Sequence, residues 1–112
     1  MGKKFNVVFE FPNGDICEVA VGEDEHVLAA ARCAGLTLPS LCEQGWDLAC
    51  AVRVLEGEWD NGDARRYYRE DEGAGFALIC TAKPRSDLRI RTHQRIAMRN
   101  YRLAHRLPTP RR

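Results

Sequence analysis

The chain lacks any long hydrophobic run. None of its apolar stretches approaches the roughly 18 residues that a membrane-spanning helix needs. The chain begins with Met-Gly-Lys-Lys-Phe-Asn-Val, which contains no apolar segment of the kind that a signal peptide carries, and it shows no transit peptide. We therefore expect a cytoplasmic protein that has no membrane partner.

Two further absences narrow the class of protein. Five cysteines without a secretory leader argue against a disulfide framework, because cytosolic thiols stay reduced. No nucleophile–base pair is evident, and the three histidines, His26, His93 and His105, have no catalytic neighbour in the sequence. The sequence therefore does not predict an enzyme.

Acidic residues are missing from the C-terminal end. Residues 91–112 contain seven arginines and no Asp or Glu, whereas residues 1–90 contain 10 Lys and Arg against 16 Asp and Glu. The formal net charge of +1 thus hides an acidic body and a basic tail. A chain of 112 residues with 45% hydrophobic residues is long enough for one domain with a small core. We expect that domain over residues 1–91 and a basic helix and tail over residues 92–112.

Three of the cysteines fall into a regular pattern. Cys42 and Cys50 stand at the first and third positions of a C-x4-C-x2-C arrangement, and Cys80 follows after 29 intervening residues. This is the spacing of plant-type [2Fe-2S] sites, in which a short loop curls round the cluster. Gly45 has no Cβ, which lets the backbone approach closely. Asp47 replaces the second cysteine, and its carboxylate is a harder anionic ligand that favours ferric iron.

These motifs resemble those of the plant-type [2Fe-2S] ferredoxins over residues 4–91. The resemblance rests on the ligand spacing and on three segments: Leu-Pro-Ser-Leu-Cys at 38–42, Ala-Cys-Ala-Val-Arg-Val-Leu-Glu-Gly at 49–57 and Ala-Leu-Ile-Cys-Thr-Ala-Lys-Pro at 77–84. It implies an α+β fold of the β-grasp (ubiquitin-like) type with a C-terminal helical extension. It also implies a one-electron carrier between a ferredoxin reductase and an oxygenase or another redox enzyme.

The same resemblance implies a [2Fe-2S] cluster held by Cys42, Asp47, Cys50 and Cys80. In the family, the ligands at positions 42 and 47 serve the outer, reducible iron, and the ligands at positions 50 and 80 serve the inner iron. A carboxylate on the reducible iron predicts a reduction potential below the roughly −400 mV of typical members, and one that depends on pH.

Alternatives to this interpretation remain open. Cys33 is the first candidate to replace Asp47 as the fourth ligand, and Cys17, on a predicted strand, is the second. A chain that has lost its cluster would be a non-redox β-grasp module that docks a partner through its arginine-rich C-terminal helix. A third alternative is a sensor in which the labile cluster itself is the signal.

Alternating apolar residues predict an N-terminal hairpin. Residues 4–11 and 16–21 have the period of two half-buried strands, and Pro-Asn-Gly-Asp at 12–15 is typical of the turn between them. On the second strand Cys17 shares the apolar face, so we expect it in the core.

A helix and three further strands are expected after the hairpin. The helix begins at residues 22–25 with Asp24 as its N-cap and ends at Gly35, and His26 lies on its surface. The remaining predicted elements are strands at 51–55, 76–81 and 88–91, a turn at 61–62 and a helical turn at 70–72.

The C-terminal helix is predicted over residues 92–107, ended by Pro108 and Pro110. Its basic residues form one stripe: Arg91, Arg95, Arg99, Arg102 and Arg106. Its apolar residues form the opposite arc: Ile96, Ala97, Tyr101, Leu103, Ala104 and Leu107. We expect the apolar arc to pack on the body and the arginines to face solvent or acids of the body. Docking of a partner protein stays open, whereas the acidic body argues against nucleic-acid binding.

Four acids lie close in sequence to the candidate ligands: Glu43, Glu56, Glu58 and Asp60. The family resemblance implies that such acids form a docking face for basic partners. Electrostatic steering of this kind raises the association rate and weakens with salt.

Overall fold

The computed structural model describes residues 3–38, 48–64 and 67–107. These residues contain seven strands and three helices. In chain order they are β1 (Lys4–Glu10), β2 (Ile16–Gly22), α1 (Val27–Cys33), β3 (Ala51–Glu56), β4 (Trp59–Asp60), α2 (Arg69–Gly73), β5 (Phe76–Leu78), β6 (Lys83–Pro84), β7 (Leu88–Arg91) and α3 (Arg95–Ala104). None of these helices is both long enough and apolar enough to cross a bilayer.

Five of the strands form one mixed sheet in the order β2-β1-β7-β3-β5. The last strand in sequence, β7, lies in the middle of the sheet, parallel to β1 and antiparallel to β3. The pairs β1–β2 and β3–β5 are antiparallel. The short strands β4 and β6 pair separately, which the sequence did not predict. A mixed sheet that shares one core with α1 confirms the predicted α+β, β-grasp fold class.

The core lies between α1 and one face of the sheet. Alternate residues of β1 and β2 are buried there, namely Val7, Phe9, Val19 and Val21. The helix contributes Val27, Leu28, Ala30 and Ala31. Cys17 is only half-buried, so the expectation that it lies in the core is wrong. Its position near the beginning of an edge strand explains the difference.

The start of α1 differs from the prediction. The helix begins at Val27, and its N-cap is His26, whose side chain makes no capping bond. Asp24 is not the N-cap because a turn precedes the helix. In that turn the backbone N–H of Glu25 donates to the carbonyl of Gly22 over 3.0 Å, and the N–H of Gly22 donates to the Glu25 carboxylate, also over 3.0 Å.

The later elements agree more closely with their predictions. Gly35 follows the end of α1 with φ of 87°, a conformation that glycine adopts without strain. The short helix α2 occupies the predicted helical turn, and β3 and β7 lie where strands were predicted. The strand predicted at 76–81 ends at Leu78, and the chain then turns.

Helix α3 packs with a different face from the one expected. Met98 and Arg102 are buried, whereas Ile96 is 72% and Leu103 is 55% exposed. The expectation that the apolar arc covers the body is therefore wrong for Ile96 and Leu103, although Tyr101 of that arc does pack against Phe76. The physical reason is Asp71 on α2, a fully buried carboxylate that requires a cation, and Arg102 supplies it with Nη2 2.8 Å from Oδ2.

Two more hydrogen bonds tie α3 to the rest of the fold. The hydroxyl of Tyr101 donates to the carbonyl of Glu70 over 3.0 Å. At the other end, the backbone N–H of Gln94 donates to the carbonyl of Ala51 over 3.0 Å. The predicted helix stop at residues 108–110 lies outside the described residues. The division of the chain after residue 91 stays a prediction.

Candidate metal centre

Cys50 and Cys80 come together at one end of the β3–β5 pair. Cys50 directly precedes β3, Cys80 lies in the turn after β5, and the register pairs Ala51 with Leu78. Both cysteines are buried, and their Sγ atoms lie 3.2 Å apart. This separation is far longer than the ~2.05 Å of a disulfide. Two thiolates on one tetrahedral metal at ~2.3 Å lie ~3.8 Å apart, so small side-chain rotations bring this pair to the ligand distance.

The other two predicted ligands, Cys42 and Asp47, lie outside the described residues. Cys50 and Cys80 are the two predicted ligands that lie within the described residues. Their chemistry fits an iron site, because buried thiolates are the usual ligands of iron–sulfur clusters.

Neither alternative cysteine joins this pair. No group of three or more His, Cys, Asp or Glu is placed to hold a metal within residues 3–38, 48–64 and 67–107. Cys33 is exposed at the end of α1. Cys17 lies on β2, three strands away from β3 in the sheet, which corresponds to ~14 Å.

The turn that carries Cys80 is held by the buried side chain of Asn61. The Asn61 Oδ1 accepts a hydrogen bond from the backbone N–H of Leu78 over 3.0 Å. Its Nδ2 donates to the carbonyl of Leu78 over 3.2 Å and to Oγ1 of Thr81 over 2.9 Å. The backbone N–H groups of Thr81 and Ala82 also donate to that carbonyl, over 3.1 and 2.9 Å. Asn61 thus fixes the backbone on both sides of the thiol.

Sequence reasoning missed this role of Asn61. The dipeptide Asn61-Gly62 predicted a turn, and a turn is found there, but nothing in one sequence shows that the amide points inward. Tyr67 plays a similar part at the other end of β5, where its hydroxyl donates to the carbonyl of Phe76 and accepts from Nε1 of Trp59 over 3.2 Å. Burial raises the pKa of Tyr67, so the hydroxyl keeps the proton that it donates. The two side chains satisfy backbone groups along an edge strand.

The first turn of α1 supports the Cys80 turn from the other side. The backbone N–H of Leu28 donates to the carbonyl of Ile79, and the N–H of Val27 donates to the carbonyl of Ala82, each over 2.9 Å. These are helix donors that have no partner within the helix. The turn that bears Cys80 is therefore fixed by α1 as well as by Asn61.

A small charged cluster lies beside this contact. Nε2 of His26 and Nζ of Lys83 lie 2.9 and 3.1 Å from Oδ2 of Asp63. The hydrogen bond from His26, followed by that from Lys83, holds the pKa of Asp63 below its usual value. The predicted surface position of His26 agrees with its partly exposed ring, which has Asp63 as a partner.

Two of the four acids that were expected to form a docking face are paired with arginines of the same chain. Nη1 of Arg89 lies 3.7 Å from Oε1 of Glu56, and Nη2 of Arg85 lies 3.0 Å from Oδ2 of Asp60. Glu58 is exposed, and residue 43 lies outside the described residues. Two of the four acids are thus partly neutralised by arginines of the same chain.

A β-grasp sheet with two buried, adjacent thiols at the end of β3 and β5 is the architecture of a small iron–sulfur protein. The chain belongs to the family described as the 2Fe-2S iron-sulfur cluster binding domain, whose model matches residues 10–85. The predicted family and [2Fe-2S] cofactor are thereby confirmed. The protein carries electrons and is not itself an enzyme.

Individual relatives agree with this assignment. Ferredoxin-2 of a Synechococcus species is 45% identical over 71 residues, which are 63% of this chain and 68% of that protein. The reductase component DmpP of phenol 2-monooxygenase from a Pseudomonas species is 39% identical over 86 residues, which are 75% of this chain and 24% of that protein.

Among solved structures, that of Pectocin M2 superposes with a TM-score of 0.78 at 25% identity over 86% of this chain. The chain spans only 35% of the length of Pectocin M2, so the match concerns one part of a longer protein.

Proposed function

We propose that the [2Fe-2S] cluster is held by Cys42, Asp47, Cys50 and Cys80, with the last two on the same iron. The observation that supports the proposal best is the 3.2 Å separation between the buried Sγ atoms of Cys50 and Cys80. When bound, the cluster accepts and returns one electron. The contribution of the chain is to fix the two thiols and to exclude water from them.

Asp47 is preferred as the fourth ligand on two grounds. It occupies the ligand position of the C-x4-C-x2-C spacing, and its carboxylate is anionic like the thiolate that it replaces. Cys17 would have to cross the two strands β1 and β7 to reach β3. Cys33 lies nine residues before Cys42 and is the remaining competitor.

We further propose that the protein takes electrons from a ferredoxin reductase in the cytoplasm and passes them to an oxygenase or a comparable redox enzyme. Support comes from the similarity to the reductase component of phenol 2-monooxygenase. In this scheme residues 1–91 form the ferredoxin-type domain, and residues 92–112 form a basic extension of it.

The ligand set is tested by iron and sulfide content together with the EPR spectrum of the dithionite-reduced protein. Wild type should contain two irons and two sulfides per chain and give a rhombic signal. Asp47→Ala should alter or abolish the signal, and Cys50→Ser should lose the cluster. Cys33→Ser and Cys17→Ser are the matched controls, and both should match wild type. The reverse result, a signal lost in Cys33→Ser and kept in Asp47→Ala, would assign the fourth position to Cys33.

A redox titration of Asp47→Cys gives a second, independent test. A thiolate at position 47 would complete the family's ligand set and should bring the potential to the family's ~−400 mV, above that of wild type. Equal potentials in the two proteins would refute ligation by Asp47 and leave the cluster itself in place.

A further inference from the structure

Helix α3 and the residue before Cys50 enclose a cleft of about 430 Å³, lined by Ala49, His93, Arg95, Ile96 and Arg99. Ala49 is adjacent to Cys50 in the chain, and Gln94 at the start of α3 is hydrogen-bonded to Ala51 over 3.0 Å. The cleft therefore opens directly beside a proposed cluster ligand.

The chemistry of this cleft is cationic and apolar. Of the described residues that line it, none is acidic, and two are arginines. Ile96 continues into an exposed ridge, because Leu103 lies seven residues later on nearly the same side of the helix, about 10 Å along its axis. Apolar side chains at the centre and arginines around them are typical of protein-docking surfaces.

The ridge is held rigidly. Met98 and Arg102 on the opposite side of α3 are buried, and Arg102 is paired with the buried carboxylate of Asp71. A surface that is already ordered binds a partner without a large loss of side-chain and backbone entropy. The buried face of α3 therefore explains why its apolar residues can face outward without disordering the helix.

The charge of this surface specifies the kind of partner. At the cleft Arg95 is exposed and Arg99 is partly exposed, and none of the described residues that line it is acidic. By contrast, Glu56 and Asp60 of the expected acidic face are already engaged by arginines. An acidic partner is attracted to the former surface and a basic partner is repelled by it.

We propose that the cleft and the ridge Ile96–Leu103 form the docking surface for a redox partner protein that presents acidic residues around an apolar centre. The inference rests on the proposed function, because docking here places the partner next to the Cys50 end of the cluster site. It reverses the polarity that the family resemblance implied for the docking face.

The test measures electron transfer from the reduced protein to two haem proteins of opposite surface charge, the acidic microsomal b-type cytochrome and the basic mitochondrial c-type cytochrome. Stopped-flow rates are recorded between 10 and 500 mM salt. With the acidic cytochrome, the wild-type rate should fall steeply as salt rises. Arg95→Glu should lower the low-salt rate about tenfold, near the lower end of measured steering effects, and should not lower the rate with the basic cytochrome.

Two further variants separate charge from contact. Lys4→Glu changes the charge by the same amount at a distant position. Lys4 begins β1, and Glu10 at the other end of that strand, about 20 Å away, pairs with Arg91, the residue of β7 after which the chain continues to α3. This variant should leave the rate with the acidic cytochrome within about twofold of wild type. Ile96→Ser should lower that rate about fivefold at every salt concentration, because it removes an apolar contact and no charge.

The outcomes are distinguishable. Each variant is first checked for two irons per chain and for a reduction potential equal to that of wild type. A wild-type protein that holds no iron would overturn the proposed function itself. Iron-loaded Arg95→Glu and Lys4→Glu proteins with equal rates would overturn the docking surface alone. Nucleic-acid binding is tested with a 20-base-pair DNA duplex and a single-stranded RNA of 20 nucleotides at 150 mM salt. If wild type binds either one and Arg95→Glu does not, the protein-docking proposal is overturned in favour of a nucleic-acid surface.

Discussion

The carboxylate of Asp71 and the guanidinium of Arg102 face each other in the interior, where the side chains are 0% and 1% exposed. Nη2 lies 2.8 Å from Oδ2, and Nε lies 3.2 Å from both carboxylate oxygens. The guanidinium also lies 4.9 Å from the centre of the Tyr68 ring, and the backbone N–H of Tyr68 donates to Oδ2 over 3.0 Å. Each charge is thus paired inside the protein, and neither can be removed alone without leaving the other buried.

Arg102→Met should lower the free energy of unfolding by about 3–5 kcal/mol, because it leaves the Asp71 carboxylate buried without a cation. Urea unfolding at pH 7 gives the measurement. The double variant Arg102→Met, Asp71→Leu should recover most of the loss, since it removes both charges and keeps the volume. Arg95→Met on the exposed side of the same helix should change the free energy of unfolding by no more than about 0.5 kcal/mol. Equal effects of Arg102→Met and Arg95→Met would contradict the buried pair.

The orientation of α3 predicts opposite results for two neighbouring apolar residues. Met98→Ala should cost about 2–5 kcal/mol of unfolding free energy, because Met98 is fully buried and its truncation leaves a cavity. Ile96→Ala should cost about 0.5 kcal/mol or less, because that side chain already faces solvent. Chemical denaturation of both variants gives the two free energies of unfolding. A larger decrease for Ile96→Ala than for Met98→Ala would show that α3 packs with the apolar arc that the helical pattern favoured.

Asn61→Ala should weaken the turn that carries Cys80. Several hydrogen bonds to Leu78 and Thr81 are lost, with an expected cost of roughly 2–4 kcal/mol of unfolding free energy. The cluster should also be released faster in air, and the loss of visible absorbance over time measures the rate of release. Asn100→Ala, on the exposed side of α3, is the matched control and should behave as wild type. A destabilised Asn61→Ala protein that released its cluster at the wild-type rate would show that the turn does not position the thiol.

The charged cluster at Asp63 predicts a dependence on pH. The pKa of Asp63 is lowered in the folded state by His26 and Lys83, so the carboxylate stabilises the fold above the unfolded pKa of 3.8 and loses this effect as pH falls through the folded value. Asp63→Asn should therefore lower Tm slightly at pH 6, by no more than about 3 °C because the group is exposed.

The Tm difference between wild type and Asp63→Asn should shrink as the pH falls below 4 and should vanish where both side chains are uncharged. Thermal unfolding followed by circular dichroism at pH 3, 4, 5 and 6 gives the comparison. A Tm difference that stays constant over this range would show that the carboxylate charge does not contribute.

Local patterns were enough to predict much of the fold. Alternation identified β1, β2 and β7, and the spacing of Cys42, Cys50 and Cys80 indicated the metal centre before any three-dimensional information. Such signals depend on residues close together in sequence, where periodicity and turn chemistry act directly. The positions of Cys42 and Asp47 lie outside the described residues, so Asp47 as a ligand stays a prediction.

What the sequence could not show depends on distant partners. The helical pattern of α3 favoured burial of Ile96 and Leu103, but Asp71, 31 residues before Arg102, draws the arginine inward and turns the helix. Similarly, Asn61 binds a strand that begins 15 residues later. A single sequence does not show which polar groups meet across such separations, and these contacts decide the orientation of each element.

The central position of β7 has a consequence for biosynthesis. The strand that joins the β1–β2 pair to the β3–β5 pair is the last one in the chain. Until Leu88–Arg91 has left the ribosome, the two halves of the sheet share no hydrogen-bonded neighbour, and the edges of β1 and β3 stay open. The sheet therefore cannot close before residue 91 has emerged, and during that interval the unpaired edges of β1 and β3 are open to association with other chains.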